Sequence, residues 1–389
     1  MYGAKEEFDL VAVADPHAAN RKTLLGLNNL VGLVKEYDDY RTMLDENPDV
    51  HGVVISTPNH FHVEPTVECL RRNLVIALEK PIAETPEGCR QILEAKRWHG
   101  GRILVGFVLR SSPFFQQAKR WIDEGRIGSV VSIQAEEIPH VLTVSVMFRS
   151  DWRRFRQFSG GMMNEKCCHD VDMLNWLAGS DPAFISSIGG VKTLAPDPSR
   201  PERCADCDIT ADCAYYLPSS TYDHPDQINK ANDGLLYKFT RDNSACIFNN
   251  GHDLYDHQQT LIEYRNGVTA SLTVDFSGSG KTTGRYLKVF GTHGALWGKL
   301  EENEIRLHDK QTDEVETVAV TDDGSGHGGA DRRHADAFIQ MMDDPAYEPE
   351  ATVEAAYLSS LMCFRADESV ESRKMLPLDD AAEFAHLNP

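Results

Sequence analysis

The sequence lacks any long apolar run. No stretch of its 389 residues approaches the ~18 consecutive apolar residues that span a bilayer, and the N-terminus has no basic segment followed by an apolar one. Basic residues are also scarce, because 39 Lys and Arg stand against 60 Asp and Glu, for a formal net charge of −21. We therefore expect a soluble, cytoplasmic protein whose partner is a small molecule rather than a nucleic acid or a membrane.

Cysteine is too sparse for a disulfide framework. The chain has nine cysteines, an odd number, and no secretory signal, which favours reduced thiols or metal ligands. The excess of acidic residues is spread along the chain instead of forming a tail. That distribution is typical of the solvated surface of a halophilic protein.

Short apolar runs alternate with helical patterns in the first part of the chain, which predicts an α/β domain with a parallel sheet. The predicted strands are residues 8–14, 50–56, 74–78 and 103–106, and the predicted helices are 63–72 and 85–99. We assign residues 1–110 to this first domain.

The pattern changes after about residue 110. Asn266-Gly267 separates two alternating apolar runs, which is the strongest short signal for a hairpin. We expect residues 111–330 to form an α+β substrate and oligomerisation domain with a large, mainly antiparallel sheet and a cysteine-containing insertion at about 195–222. Amphipathic segments in 331–389 predict C-terminal helices that pack back on the first domain.

One lysine, Lys80, directly follows a predicted buried strand. The carboxyl ends of parallel strands face the crevice where ligands bind, so an ammonium group placed there meets a ligand rather than bulk water. The alternative is a salt bridge at the strand end with Glu79 or Glu84, and spacing alone does not separate the two interpretations.

Four motifs taken together resemble one family. They are Asp15 after the apolar run Val11 to Ala14, the run Thr57-Pro58-Asn59 with His62, Glu79-Lys80-Pro81, and the stretch from Gly160 to Asp172. In this order and spacing the chain resembles, nearly end to end, the family of glucose-fructose oxidoreductase, inositol dehydrogenase and MocA (Gfo/Idh/MocA). The resemblance implies a Rossmann-type doubly wound sheet and an NAD(P)-dependent dehydrogenase that acts on a secondary alcohol of a sugar, sugar derivative or cyclitol. It also implies a homodimer or homotetramer.

The resemblance assigns the cofactor contacts residue by residue. They are Asp15, Thr57, Pro58, Asn59, His62, Glu79, Lys80 and Pro81, with a cis peptide before Pro81. Asp15 would accept the ribose hydroxyls, which favours NAD over NADP because a 2′-phosphate would meet a carboxylate. The first strand and the G-x-G-x-x-G turn of that fold do not precede Asp15, where Gly3 is the only glycine. We therefore interpret the chain as shortened at its N-terminus by roughly 20 to 30 residues.

The resemblance also implies catalytic roles for Lys80, His169, Glu165 and Asp172. On a helix, Glu165, His169 and Asp172 stand at positions i, i+4 and i+7, so they share one face. His169 would accept the hydroxyl proton, Lys80 would stabilise the alkoxide, and Glu165 or Asp172 would orient the imidazole or bind a neighbouring hydroxyl. Many family members have aspartate at the position of Glu165, which leaves the substrate class open. The alternative for His169 is a purely structural histidine on a helix face.

Two further groups are candidates. Cys204, Cys207 and Cys213 have the spacing of metal thiolates, with His224 or Cys246 as a fourth ligand, so the insertion holds either a structural zinc or reduced, loosely ordered thiols. His327 lies in a glycine-rich approach to a helix that Asp331 caps, which places it near the site or leaves it in a simple loop.

Two other functions stay open. The same scaffold could use transient oxidation for glycosidase or lyase chemistry without net redox change. The missing glycine turn and Glu165 would also suit a non-catalytic nucleotide-binding protein, although Lys80 and His169 argue against that.

Overall fold

A computed structural model describes residues 8–216 and 245–379. Within those ranges, no helix combines the length and apolar character needed to cross a bilayer.

The first part of the chain forms two parallel sheets flanked by helices. One pairs β1 with β2, and the other has the order β3, β4, β5. The strands are β1 (Ala12–Ala14), β2 (Lys35–Tyr37), β3 (Gly52–Ile55), β4 (Val75–Leu78) and β5 (Ile103–Val105). The helices are α1 (Ala18–Leu27), α2 (Tyr40–Glu46), α3 (Val63–Arg71) and α4 (Pro86–His99). This is the Rossmann-type α/β arrangement that the sequence predicts.

Local chemistry explains several of these boundaries. Thr85 caps α4 by accepting the Gly88 N–H at 3.1 Å, Pro86 occupies the first helical position, and Gly100 ends the helix in the left-handed conformation (φ 68°). β1 is shorter than predicted because residues 8–10 pair with no neighbouring strand, and Val11, which is 46% exposed, contributes only its carbonyl, which accepts the Lys35 N–H at 3.2 Å.

A nine-stranded sheet dominates the second part. Its order is β13-β12-β11-β10-β6-β9-β8-β7-β14, and every neighbouring pair is antiparallel except β6 with β9. Its strands are β6 (Val130–Ile138), β7 (Pro182–Gly190), β8 (His257–Tyr264), β9 (Thr269–Asp275), β10 (Gly284–Gly291), β11 (Gly294–Lys299), β12 (Glu304–Asp309), β13 (Val315–Ala319) and β14 (Leu376–Pro377). The helices before and between these strands are α5 (Pro113–Asp123), α6 (Val141–Arg149), α7 (Arg156–Ser159) and α8 (Cys168–Ala178).

Two C-terminal helices connect the sheet with the first part of the chain. They are α9 (Ala330–Asp343) and α10 (Val353–Ser372). Helix α10 contacts α4, α8 and β7, and Lys96 Nζ on α4 binds Glu354 Oε1 at 2.8 Å. The Val105 N–H also donates to the Ala351 carbonyl at 3.0 Å. One continuous hydrophobic core therefore runs from β4 and α4 through α8 and α10 to the large sheet.

Candidate active site

Lys80 lies immediately after β4, at the carboxyl end of the parallel sheet. The Lys80–Pro81 peptide is cis, as the resemblance implies. The Lys80 ammonium is half-buried and donates to the backbone carbonyl of Glu165 at 2.5 Å. Among the described residues Lys80 forms no ion pair, so the alternative of a strand-end salt bridge with Glu79 or Glu84 is wrong. The structure instead directs this lysine toward the start of α8.

Glu165 is a buried carboxylate beside that lysine. Asn59 Nδ2 donates to its Oε2 at 2.6 Å and Arg153 Nε donates to its Oε1 at 2.9 Å. Burial alone would raise the pKa of Glu165, but the charges of Lys80 and Arg153 and the hydrogen bond from Asn59 hold it below its ordinary value. Glu165 is therefore ionised at neutral pH, and both of its oxygens are occupied.

His169 is buried, with 4% of its surface exposed. Burial, then the positive charges of Lys80 and of the neighbouring His327 when that ring is protonated, lower its pKa well below the ordinary value. Its ring packs against Phe107 at 5.7 Å between centroids, and its Nδ1 has no hydrogen-bond partner among the described residues. A neutral imidazole with an unsatisfied ring nitrogen can take a proton or a hydrogen bond from a ligand.

Neither predicted carboxylate orients this imidazole. Asp172 accepts two hydrogen bonds from Arg110, Nε to Oδ2 at 2.8 Å and Nη2 to Oδ1 at 2.7 Å, and its surface is fully buried. Glu165 binds Asn59 and Arg153 instead. The prediction that one of them orients His169 is therefore wrong, while the alternative that one of them binds a neighbouring hydroxyl stays a prediction. The α-helical spacing of these residues did not predict their contacts, because Met163–Cys167 forms a π-helical turn before α8. This turn changes the angle between the side chains of Glu165 and His169.

The sequence placed His327 either near the site or in a simple loop, and the structure brings it close to His169. Its ring lies 5.9 Å from that of His169, and its Nδ1 is 2.7 Å from Asp331 Oδ1. The loop that carries it has φ values of 76° at Gly324, 101° at Gly326 and 47° at His327 itself, a conformation that only glycine adopts without strain. The glycine-rich approach was the available signal, and the structure brings it to the site together with Asp331.

A buried ionic network that no sequence pattern predicted lies beneath the start of α8. Arg285 Nε contacts Asp170 Oδ1 at 2.9 Å and Glu137 Oε2 at 2.7 Å, while Lys166 Nζ contacts Glu137 Oε1 at 3.1 Å. Burial raises the pKa of Asp170 to about 6, against the opposing charge of Arg285. These residues fix the turn that carries Glu165 and His169.

The predicted cofactor residues follow the ends of β1, β3 and β4. Asp15 comes directly after β1, and its carboxylate accepts the His17 N–H at 2.7 Å and Asn20 Nδ2 at 3.0 Å. His62 is buried between two loops, with Nδ1 2.9 Å from the Pro81 carbonyl and Nε2 2.7 Å from the Thr57 carbonyl. His62 therefore supports the loops that hold Thr57, Pro58, Glu79 and Pro81, and Asn59 is engaged with Glu165.

These residues fit a nicotinamide dinucleotide at its ribose and at its nicotinamide ring. Asp15 offers a carboxylate where a ribose would lie, and the β3 and β4 ends converge with Lys80 and the unsatisfied Nδ1 of His169. The G-x-G-x-x-G spacing occurs in this sequence only at 324–329, after the edge strand β13, so it is not the turn of a βαβ unit. That loop contributes His327 and no identified phosphate site.

The described residues show no metal centre at the three cysteines. Across the part of the chain that the structure describes, no three His, Cys, Asp or Glu side chains are grouped so that they could hold a metal. Arg149 Nη1 lies 3.5 Å from the Cys204 sulfur, which brings a positive charge to the place a cation would occupy. The structural zinc is therefore not supported. The candidate ligand His224 lies outside the described residues.

Comparison with known proteins identifies the family. Two family models match: "Oxidoreductase family, NAD-binding Rossmann fold" over residues 1–107, and "Oxidoreductase family, C-terminal alpha/beta domain" over residues 119–378. The oxidoreductase YteT of Bacillus subtilis is 29% identical over 310 residues, which cover 73% of this chain and 70% of YteT.

Two further relatives are informative. Inositol 2-dehydrogenase of Salmonella typhimurium is 27% identical over 179 residues, 44% of this chain and 48% of that enzyme, so the match spans about half of it. A levoglucosan dehydrogenase solved with NADH and levoglucosan shares the fold with a TM-score of 0.70 at 18% identity, covering 95% of this chain and 90% of that one. With both family models matched over most of its length, this chain belongs to the Gfo/Idh/MocA family of oxidoreductases.

Proposed function

We propose that this protein is an NAD-dependent dehydrogenase that transfers a hydride between nicotinamide and a secondary alcohol of a sugar, sugar derivative or cyclitol. One observation carries the proposal: the Lys80 ammonium and the unsatisfied His169 imidazole converge at the carboxyl end of β4, beside the ionised Glu165. The names of the relatives, an inositol dehydrogenase and a levoglucosan dehydrogenase, support the substrate class.

The cofactor would supply the hydride acceptor at its nicotinamide ring. Asp15 would hold the ribose hydroxyls, and its negative charge would disfavour the 2′-phosphate of NADP. Thr57, Pro58, Glu79 and Pro81 would line the nicotinamide side, on loops that His62 supports from beneath.

The chain's own residues would manage the proton and the negative charge. Lys80 gives one N–H to the Glu165 carbonyl, which leaves ammonium hydrogens for a substrate oxygen that becomes an alkoxide. His169 is neutral, so it can accept the hydroxyl proton. His327 is about one-third exposed and is held by Asp331, so it would relay that proton from His169 to solvent.

Glu165 and Asp172 would have positioning roles. Glu165 ties the start of α8 to Asn59 and Arg153, and Asp172 ties α8 to Arg110. Because their carboxylate oxygens are already bonded, substitution of either should disturb the placement of His169 more than it removes a proton carrier.

Steady-state kinetics test the assignment. With a panel of sugars and inositols and NAD, Lys80→Ala and His169→Asn should each lower kcat by about 10²- to 10⁴-fold, with a much smaller change in NAD affinity. His99→Asn, at the exposed end of α4, is the matched control. Near-wild-type turnover of His169→Asn would make the histidine a structural residue. Turnover of a substrate without accumulation of NADH would assign the transient-oxidation chemistry instead, and NAD binding without turnover of any panel member would support the non-catalytic alternative.

The quaternary structure is a separate proposal. We propose that two copies associate through the solvent-facing side of the nine-stranded sheet, where Ile188 is 76% exposed, Leu261 60% and Phe184 41%. Adjacent strands β7 and β8 carry these side chains, so they form an apolar surface of the kind that marks an interface. Leu261→Glu should convert the oligomer to a monomer in light scattering, and a protein that is already monomeric would remove the proposal.

Domain organisation and compartment complete the proposal. We propose that residues 1–110 bind the cofactor, 111–330 bind substrate and form the interface, and 331–389 join the two. All nine cysteines are free thiols, which suits the reducing environment of the cytoplasm.

A further inference from the structure

A cavity lies between α5, the end of β13 and helix α9. Its volume is about 480 Å³, within the range of cavities that hold small ligands. The side chains that define its chemistry are Arg110, Gln116, Gln117, Arg120, Arg333 and His334. None of the predictions from the sequence concerned this part of the surface.

The cavity has an excess of positive charge in a strongly acidic protein. Three arginines line it and Glu350 is the one acidic residue in its wall, whereas the whole chain has a formal net charge of −21. Among the described residues, neither Arg120 nor Arg333 forms an ion pair with a carboxylate, although most surface arginines of this chain do. Arg333 is near enough to Asp323 to help lower the pKa of that carboxyl. No hydrogen bond of either guanidinium group is seen among the described residues, so both groups can bind an oxyanion through paired hydrogen bonds.

Neutral donors and a helix end surround these arginines. Ser111, Pro113, Gln116 and Gln117 are the residues around the first turn of α5 that face the cavity, so the positive end of that helix adds to the field there. Gln117 offers a side-chain amide, and His334 offers an imidazole that burial keeps neutral by lowering its pKa to about 4. The wall therefore combines charged and neutral hydrogen-bond donors.

We propose that this cavity is a binding site for a small molecule that carries a multivalent oxyanion group, a phosphate or a polycarboxylate, which Arg120 and Arg333 hold by charge-assisted hydrogen bonds. The proposal does not rest on the dehydrogenase function, because it concerns binding in the absence of cofactor and substrate. Its wall nevertheless touches the catalytic part of the molecule, since Arg110 binds Asp172 on the helix that carries His169.

Calorimetric titration with inorganic phosphate and, separately, with citrate tests the proposal, at constant ionic strength set with potassium chloride. We expect saturable 1:1 binding of at least one anion to the wild-type protein. Arg120→Gln and Arg333→Gln should each weaken it by about 10- to 100-fold, the loss typical of a charge-assisted hydrogen bond, and the double variant should show no binding. The stronger of the two ligands identifies which oxyanion class the cavity prefers.

The control is Arg126→Gln, which removes the same charge from an exposed pair with Glu316 beyond the end of α5. This variant should bind the anion as the wild type does. Arg120 and Arg333 are both exposed, so these variants should fold, which circular dichroism with thermal melting can check. Absence of heat for both anions, or equal weakening by Arg126→Gln and Arg333→Gln, would overturn the proposal.

Discussion

The pair of Arg110 and Asp172 gives the sharpest prediction about stability. The Arg110 guanidinium makes two parallel hydrogen bonds to a carboxylate whose side chain is 1% exposed, and a third bond from its Nη1 reaches the Glu350 carbonyl at 2.8 Å. Arg110→Met removes the guanidinium and leaves the Asp172 charge buried without its partner. Loss of one member of a buried pair costs about 3–5 kcal/mol of the free energy of unfolding.

That cost should appear as a large shift in the melting temperature. For domains of this size each kcal/mol corresponds to roughly 2–4 °C, so Arg110→Met should melt roughly 6–20 °C below the wild type in differential scanning calorimetry. Arg110→Lys should recover only part of the loss, because an ammonium cannot make the paired planar contact. The exposed Arg126–Glu316 pair provides the control, since Arg126→Met should cost at most about 1 kcal/mol.

A double-mutant cycle separates the pair from simple loss of packing. Asp172→Asn in the Arg110→Met background removes the buried charge, so the double variant should be more stable than the sum of the two single effects predicts. If Arg110→Met melts no lower than Arg126→Met, the ion pair is not a buried support of α8. If the two single effects add without coupling, the destabilisation comes from lost packing instead.

Three further outcomes are expected. His169 has a pKa well below that of an unfolded histidine, so acidification below about pH 6.5 protonates the unfolded chain first and lowers the stability of the fold. The His169→Asn variant lacks this group. Its free energy of unfolding, measured by urea titration, should therefore fall less between neutral pH and about pH 5 than that of the wild type. Asp15→Asn should raise the ratio of NADP to NAD affinity in fluorescence titrations, and an unchanged ratio would place the ribose elsewhere. The excess of acidic residues should make the melting temperature rise from low to molar potassium chloride, whereas a flat or falling trend would show that repulsion among them does not limit stability.

Local sequence signals predicted much of the fold. Helix α4 has its cap, its proline and its terminal glycine in the sequence itself, and the Asn266-Gly267 turn joins β8 and β9 as its flanking runs indicate. The strand β2 escaped prediction because Lys35–Tyr37 contains no apolar alternation and is held by its pairing with β1. The parallel pairing of β6 with β9 joins segments 137 residues apart, and no local pattern encodes such a contact.

Some features of the candidate site were likewise predicted from the sequence and others were not. The motifs that carry the resemblance placed Lys80 and His169, the proposed catalytic pair, and the cis peptide before Pro81 was implied by the same resemblance. The partners of the acidic residues were not found, since Arg110, Arg153 and Arg285 reach them from distant segments and carry no signal of their own. No sequence pattern predicts the π-helical turn either, although this turn changes which residues Glu165 and His169 contact.

In the proposed mechanism, the surroundings of His169 require a second group for proton transfer. Burial and nearby Lys80 oppose protonation of this imidazole, and neither Glu165 nor Asp172 offers it a hydrogen bond. An imidazolium formed there is therefore poorly stabilised and should release its proton quickly. The nearest titratable ring is that of His327, which has the carboxylate of Asp331 beside it and a surface open to solvent. It follows that proton transfer from His169 to solvent should depend on the His327–Asp331 pair.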